Sequence, residues 1–444
     1  MREIEFSADQ LITALLKLSE QEAVCLLDSC GVSYLNSHLL IAGIKPRETF
    51  EITNKDVHRT LEFLDDKFSN SDLAYIFSIS YEFGLKLENI EPRPKEFPAA
   101  REPDVFLAAF DCLIVHDYDT GATCLTGNEK RFDEIERILR NLRNTEDVNF
   151  EIDLIPESNV SSNFTCKDYI QTIEKIQEHI RRGDTYQTNL TQQLRAELPE
   201  NLNARKIFRR LRKNHPAPFA AFLKRENDYV VSISPERFVK IQNSSIEASP
   251  IKGTRPRGKT PEEDLQLRKE LLSSEKDLAE NVMIVDLLRN DIGRICRFGS
   301  VKIEKLCDLE THPTLYHLVS TVRGELRENI EFSDILKAVF PCGSITGAPK
   351  IRTMRIIDEL ETAPRGLSMG AIGYSIQSSK FNVQNSIDLN VAIRTMVVKD
   401  NEAIFNVGGG IVIDSVPDLE YEETLVKARA LLKVLGADEK ELYK

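Results

Sequence analysis

Lys252 stands in Ser249-Pro250-Ile251-Lys252-Gly253-Thr254-Arg255-Pro256-Arg257-Gly258, an amine between a Pro-Ile pair and a Gly-Thr pair. A lysine kept neutral by burial is a nucleophile. Gly253 lets the chain take a positive φ or approach a ligand closely. A solvated surface turn would read the same way. Two acidic segments offer ligands for a hard cation. Asp277 and Glu280 lie at i, i+3, and Glu420, Glu423 and Lys427 lie at i, i+3, i+7 behind Pro417, which suits a first helical turn. Both sets also suit charge-paired solvent faces, with Arg289 or Arg294 as partners for Glu280 and with acids early and a base late along a helix dipole. If the two helices meet, two glutamates and water suit Mg²⁺, which prefers hard oxygens and keeps positions open for an anionic substrate.

Other residues could act beside them. Glu236, in Ser234-Pro235-Glu236-Arg237-Phe238, is a general acid if burial raises its pKa, or a simple partner of Arg237. His317 reads as a strand histidine, either a hydrogen-bonded core residue or a proton-transfer group. Arg394 ends an apolar strand and can grip a carboxylate with two parallel bonds. The triplet Gly408, Gly409 and Gly410 interrupts a strand and reads as a bulge or close approach, with amides free for a carboxylate. No dinucleotide fingerprint follows it. The segment 343–350, Gly-Ser-Ile-Thr-Gly-Ala-Pro-Lys, lacks the Gly-Lys-Ser/Thr ending of a Walker loop and reads as the start of a helix.

The elements that must position these residues are of both kinds. Helical periodicity marks 167–182, 204–213, 261–272, 277–288, 332–339, 351–360 and 419–435. Short β-branched runs mark strands at 106–110, 112–117, 229–233, 300–303, 317–322, 371–374, 388–395 and 403–407. Long helices among adjacent strand pairs indicate an α+β fold. The proline-rich stretch 91–104 and the polar stretch 144–165 read as breaks. They divide an N-terminal region, 1–150, from a catalytic region, 166–440.

Among the 444 residues, 41% are apolar and 29% charged, as in soluble globular proteins. The net charge of −13, from 58 basic and 71 acidic residues, disfavours a nucleic-acid partner. Eight scattered cysteines without a CxxC pair fit reduced thiols in the cytoplasm. Neither a signal-peptide core nor a membrane-spanning apolar run is expected.

As an ordered set these segments resemble the chorismate-utilising enzymes. The resemblance rests on Ser-Pro-Glu-Arg-Phe (234–238), Pro-Ile-Lys-Gly-Thr (250–254), Asp-Leu-Ala-Glu-Asn-Val-Met-Ile-Val-Asp (277–286), Arg-Asn-Asp (289–291), His-Leu-Val-Ser (317–320) and the 343–350 segment. It continues through Gly-Ala-Ile-Gly-Tyr (370–374), Ala-Ile-Arg-Thr (392–395) and the run from the glycine triplet to Thr424. It covers about 166–436, and more weakly the N-terminal part, through Leu26-Leu27-Asp28-Ser29.

The resemblance implies two large antiparallel β-sheets packed as a sandwich with helices outside. It also implies a branch. Lysine at 252 is similar to the para-aminobenzoate branch of folate biosynthesis, whereas anthranilate-forming relatives have alanine there. Gln187 occupies the slot of the general-base lysine of isochorismate- and salicylate-forming relatives, which favours ammonia over water. The implied reaction is amination of chorismate at C4 to 4-amino-4-deoxychorismate. Lys252 attacks C2 and Glu236 protonates the departing hydroxyl. Ammonia then expels the lysine. At pH 7 such an amine needs a pKa well below its reference of about 10.4.

Further site roles follow from the same resemblance. Glu280 and Glu423, with Asp277 and Glu420 nearby, would hold Mg²⁺. Arg394, Tyr374, Lys427 and the amides of Gly408, Gly409 and Gly410 would hold the enolpyruvyl carboxylate. His317 and Ser344 would orient the ring. No glutaminase segment or Gly-x-Cys-x-Gly elbow occurs, so a separate glutamine amidotransferase subunit is the expected partner. Neither nucleic acid nor membrane is. The alternatives are an anthranilate-forming enzyme and a non-catalytic tryptophan-binding or scaffold subunit. Leu27, Asp28 and Ser29 match a stretch that lines a tryptophan pocket in relatives. Asp28 replaces the glutamate of the regulatory branch, so weak or no feedback inhibition is expected.

Overall fold

The computed structural model describes residues 1–35, 37–69, 72–97, 102–143, 158–311, 315–377, 379–381, 386–439 and 442. Two sheets dominate it, one of twelve strands and one of ten, with every described pairing antiparallel. Helices cover the outer faces of both, giving the α+β sandwich.

The strand Val105–Phe110 shows why the layers form. All six of its residues are buried. Val105, Leu107 and Ala109 point to an outer core under helices, and Phe106, Ala108 and Phe110 point to a core between the sheets. Side chains alternate across a strand, so a strand covered on both faces needs an unbroken apolar run. The strand Ala74–Ile79 divides in the same way, Tyr75, Phe77 and Ile79 outward and Ala74 and Ile76 inward. The larger sheet has its own outer core, where Leu190 and Leu194 meet the helices Cys166–Arg181, Ala204–Asn214 and Pro417–Leu435.

The two regions expected from sequence are not separate layers. Strand Val24–Asp28 pairs with Phe219–Lys224 in the larger sheet, and Ala74–Ile79 pairs with Ala371–Ile376 in the smaller. Each sheet is therefore built from both regions. Of the expected break at 144–165, residues 144–157 lie outside the described residues.

Most expected elements are present with shifted ends. The 277–288 helix extends to Glu275–Gly293, started by Ser274 as N-cap. The 300–303 strand is Lys302–Thr311. The 388–395 strand is two strands, Ser386–Val391 and Thr395–Lys399, and Arg394 lies between them with φ 48°. The 343–350 segment is a 3₁₀ turn, Gly343–Ile345, and a short strand before a helix that begins at Lys350.

Candidate active site

The strand Ile251–Pro256 carries Lys252 along Leu315–Glu325. Its register slips between Lys252 and Thr254, and Gly253 takes φ +79°. Only glycine takes that backbone readily. A Cβ there would also press on Leu271 and Asp277, at 2.9 and 3.0 Å. Such a bulge re-aims the neighbouring side chain. Half-buried Lys252 donates through Nζ to the Ser344 carbonyl at 3.3 Å.

Glu236 lies beside it, 5% exposed, with Oε1 buried and without a hydrogen-bond partner. Burial pushes its carboxyl above the ordinary range, opposed by the Lys252 ammonium, the Ser344 hydroxyl and the Ile251 amide. Arg237 does not pair with it. Its guanidinium instead makes a two-bond contact with Asp388, both at 3.0 Å.

The Glu275–Gly293 helix is docked on Leu315–Glu325 by Asn281, whose Nδ2 donates to the Leu318 carbonyl at 3.3 Å. This sets Glu280 toward Lys252 and Asp277 against Gly253. Burial raises the Glu280 carboxyl, opposed by Lys252 and Lys276 and helped by Asp277 and Glu420. Gln187 Nε2 reaches Glu280 Oε2 at 3.4 Å, while Gln187 Oε1 is buried and unpartnered. Arg289 and Arg294 are not partners of Glu280. The first pairs with Asp286 and the second reaches the Lys337 carbonyl.

The Pro417–Leu435 helix supplies Glu420, Glu423 and Lys427. Glu420 is buried and bonded to Lys276 at 2.8 Å and to the Ser415 hydroxyl at 2.7 Å. Glu423 pairs with Lys427 at 2.8 Å. Its side chain is half exposed, so the partial desolvation that opposes ionisation is outweighed by Lys427, Lys276 and Lys252, which leave its carboxyl below the usual range. Asp277 pairs with Arg255 at 3.0 Å. Each of these three acids thus has a cation of its own, and among the described residues no three His, Cys, Asp or Glu side chains are gathered tightly enough to hold a metal ion. Asp277, Glu280, Glu420 and Glu423 offer carboxylate oxygens, the donor type that a hard divalent cation prefers.

The glycine triplet does not interrupt its strand. Glu402–Ile411 pairs with Gln187–Glu197 residue for residue. The glycines clear space instead. A Cβ on Gly408 would stand 2.0 Å from the Leu190 carbonyl oxygen and one on Gly410 2.3 Å from Gln187 Nε2. Next to Gly409, Glu420 Oε2 and Lys427 Nζ would both be at 3.6 Å. Gly408 presents its carbonyl to Lys427 Nζ at 3.2 Å. N–H and C=O of one extended residue point to the same edge, so the Gly408 amide faces that side too.

Arg394 is desolvated with no opposing carboxylate, and no ion pair to it forms among the described residues. His317 is 7% exposed, with Nδ1 2.9 Å from the Thr254 hydroxyl. Tyr374 is not brought to Lys252. It lines a second cavity of about 200 Å³ between the sheets, together with Leu27, Asp28 and Ser29. The period-2 alternation turns it inward with Ile372 and Ile376. In that cavity Asp28 accepts from Arg212 at 2.6 Å, Tyr118 at 2.7 Å and the Cys30 amide at 2.9 Å.

A sequence match to the chorismate binding enzymes runs over residues 22–433. The chain belongs to that family. This chorismate binding enzyme is 39% identical to aminodeoxychorismate synthase component 1 of Escherichia coli (strain K12), over 82% of this chain and 78% of that one. It is equally 39% identical to anthranilate synthase component 1 of Aquifex aeolicus (strain VF5), over 75% and 68%. The crystal structure of anthranilate synthase component I from Streptococcus pneumoniae TIGR4 superposes with a TM-score of 0.77 at 29% identity, covering 90% of this chain and 93% of that one. Some curated relatives are much longer, and this chain spans as little as 28% of them.

Sequence reasoning missed several residues of the site. Lys276 and Arg255 neutralise two of the acids. Arg365, buried, ties the Ile345 and Asn189 carbonyls together at 2.8 and 2.7 Å. Lys350 and Asp291, which end two of the resembling motifs, form an ion pair at 2.6 Å that joins their helices. The signal for Lys276 was a lysine in a first helical turn, where the dipole disfavours a cation.

Among the described residues, no helix is long and apolar enough to cross a membrane. The eight cysteines are unpaired.

Proposed function

We propose that this chorismate binding enzyme acts as component I of an aminodeoxychorismate synthase, aminating chorismate at C4 to 4-amino-4-deoxychorismate. The observation that carries this reading is the half-buried Lys252 amine with the buried Glu236 carboxyl beside it. Lys252 nitrogen adds to ring C2, the ring π electrons shift, and the C4–O bond breaks as Glu236 gives its proton, releasing water. Ammonia then adds at C4, the electrons shift back, and the C2–N bond breaks. The Glu236 carboxylate takes up the proton that the new amine loses. A raised carboxyl pKa suits an acid that must be protonated near neutral pH.

The remaining residues bind and orient. Arg394, a desolvated cation without an ion-pair partner among the described residues, is suited to the enolpyruvyl carboxylate, as are Lys427 and the Gly408 amide. His317, held by Thr254, and Ser344, held between Lys252 and Glu236, orient the ring. Glu280 and Glu423, with Asp277 and Glu420 nearby, would hold Mg²⁺, which supplies positive charge for the ring carboxylate when bound. Ammonia comes from a glutamine amidotransferase subunit. The relatives' designation as component 1 supports a two-component enzyme.

Anthranilate formation is the second reading, favoured by the equal identity to the Aquifex aeolicus enzyme. Mass spectrometry of the product from chorismate, ammonium and Mg²⁺ separates them. 4-Amino-4-deoxychorismate is expected. Anthranilate with pyruvate would replace the first reading by the second, and no turnover would remove both.

A further inference from the structure

Lys276 sits where its own helix disfavours it. It follows Ser274 and Glu275 in the first turn of Glu275–Gly293, where unpaired N–H groups make the surroundings positive. Its side chain crosses to the Pro417–Leu435 helix and donates to Glu420 Oε1 at 2.8 Å. Glu420 is buried, its side chain 5% exposed, whereas the Lys276 side chain is 45% exposed. A half-exposed ammonium therefore covers a buried carboxylate, and Glu280 and Glu423 act on the same ammonium. A carboxylate so placed needs a counter-charge, because a buried charge left without one is costly.

Building on the divalent-cation reading above, we propose that Lys276 is the built-in counter-ion of that site. It neutralises Glu420 while no metal is bound and gives way when a divalent cation takes that carboxylate. The lysine and the metal compete, and the lysine sets the metal's affinity. Its exposure lets the amine rotate into solvent without disturbing the core. The ion pair keeps the acids from repelling the two helices apart in the metal-free state.

The test uses Mn²⁺ alone as the probe, counted as the free ion by electron paramagnetic resonance, with the full chain and no chorismate. Lys276→Gln should bind Mn²⁺ about tenfold more tightly than the unaltered chain, the loss of one charge-assisted bond that the metal otherwise has to break. Lys276→Arg, which keeps the charge, should not tighten it. Metal-free Lys276→Gln should melt lower than the unaltered chain and recover with Mn²⁺. A second measurement needs no variant: acetylation of Lys276 in the unaltered chain, read by peptide mass spectrometry, should speed up several-fold when Mn²⁺ is added. Equal or weaker Mn²⁺ binding by Lys276→Gln, or unchanged acetylation under saturating Mn²⁺, overturns the proposal. Failure of every form to bind Mn²⁺ overturns the divalent-cation reading, and the counter-ion role falls with it.

Discussion

Lys252 and Glu236 are joined through one residue, Ser344, whose carbonyl accepts from the amine at 3.3 Å and whose hydroxyl contacts the carboxyl. Lys252 and Ser344 come from distant parts of the chain, a bulged strand and a 3₁₀ turn. The pairing sets a half-buried amine beside a buried carboxyl, the proposed nucleophile and proton donor.

Lys252→Ala should lower C4 amination by at least about a hundredfold, as expected when an attacking group is removed. Residual turnover should shift toward amination at C2. Quantifying both products by mass spectrometry checks this. Unchanged 4-amino-4-deoxychorismate formation would take the lysine out of the mechanism.

Glu236→Gln should lower the rate by about 10²–10⁴-fold, the usual contribution of a positioned acid. In the unaltered enzyme kcat/KM should fall as pH rises through the raised Glu236 pKa, and the variant should lack that limb. Stability follows the same sign. A carboxyl whose pKa is raised by folding contributes most at low pH and loses that contribution as pH rises. The variant should therefore gain stability over the unaltered chain at pH 8 and not at pH 4, read from urea midpoints.

Gly410→Ala should cost about 1–3 kcal/mol, the range for overpacking, because its Cβ would stand 2.3 Å from Gln187 Nε2. Gly409→Ala, with its nearest atoms at 3.6 Å, should cost less. Urea melts of the two variants rank them. Equal stabilities would mean that Gln187 yields without cost.

Glu82 offers a pH test away from the chemistry. Burial pushes its carboxyl up to about 7, and its Oε2 has no partner. Below the unfolded-state value of about 4.5 both states are protonated. As pH rises from there to 7 the unfolded state ionises first, so folding loses stability, on the order of 3 kcal/mol. Glu82→Gln should flatten that part of the stability–pH curve, and a curve parallel to the unaltered chain's would contradict the assignment.

Tryptophan should change the Michaelis constant for chorismate little. The Asp28 carboxylate in the second cavity is already used by Arg212, Tyr118 and the Cys30 amide, which leaves it a poor partner for an amino group. Steady-state kinetics with and without tryptophan check this, and a marked rise would reverse the expectation.

The helices that carry the acids were legible because their apolar residues recur at helical spacing. The strand Val105–Phe110 was legible as a continuous apolar run. The strand Gln187–Glu197 was not, since its inward face is polar. Thr191 is bonded to Glu361 and Gln193 to the Pro364 carbonyl, partners that local sequence does not display. The glycine triplet misled for a related reason. Its residues lie in an unbroken strand, and what demands glycine is the approach, from the neighbouring strand, of the Leu190 carbonyl to Gly408 and of the Gln187 side chain to Gly410.

The sequence by itself determined the α+β class, the nucleophile and acid candidates, and the two acidic helices, because residue type and spacing are local properties. Only the tertiary structure decided that both halves of the chain build both sheets, that Tyr374 faces the second cavity, and that Lys276 and Arg255 each neutralise an acid. Those outcomes depend on which strands pair and which charges come within bonding distance, and burial then makes each unpaired charge costly enough to fix its partner.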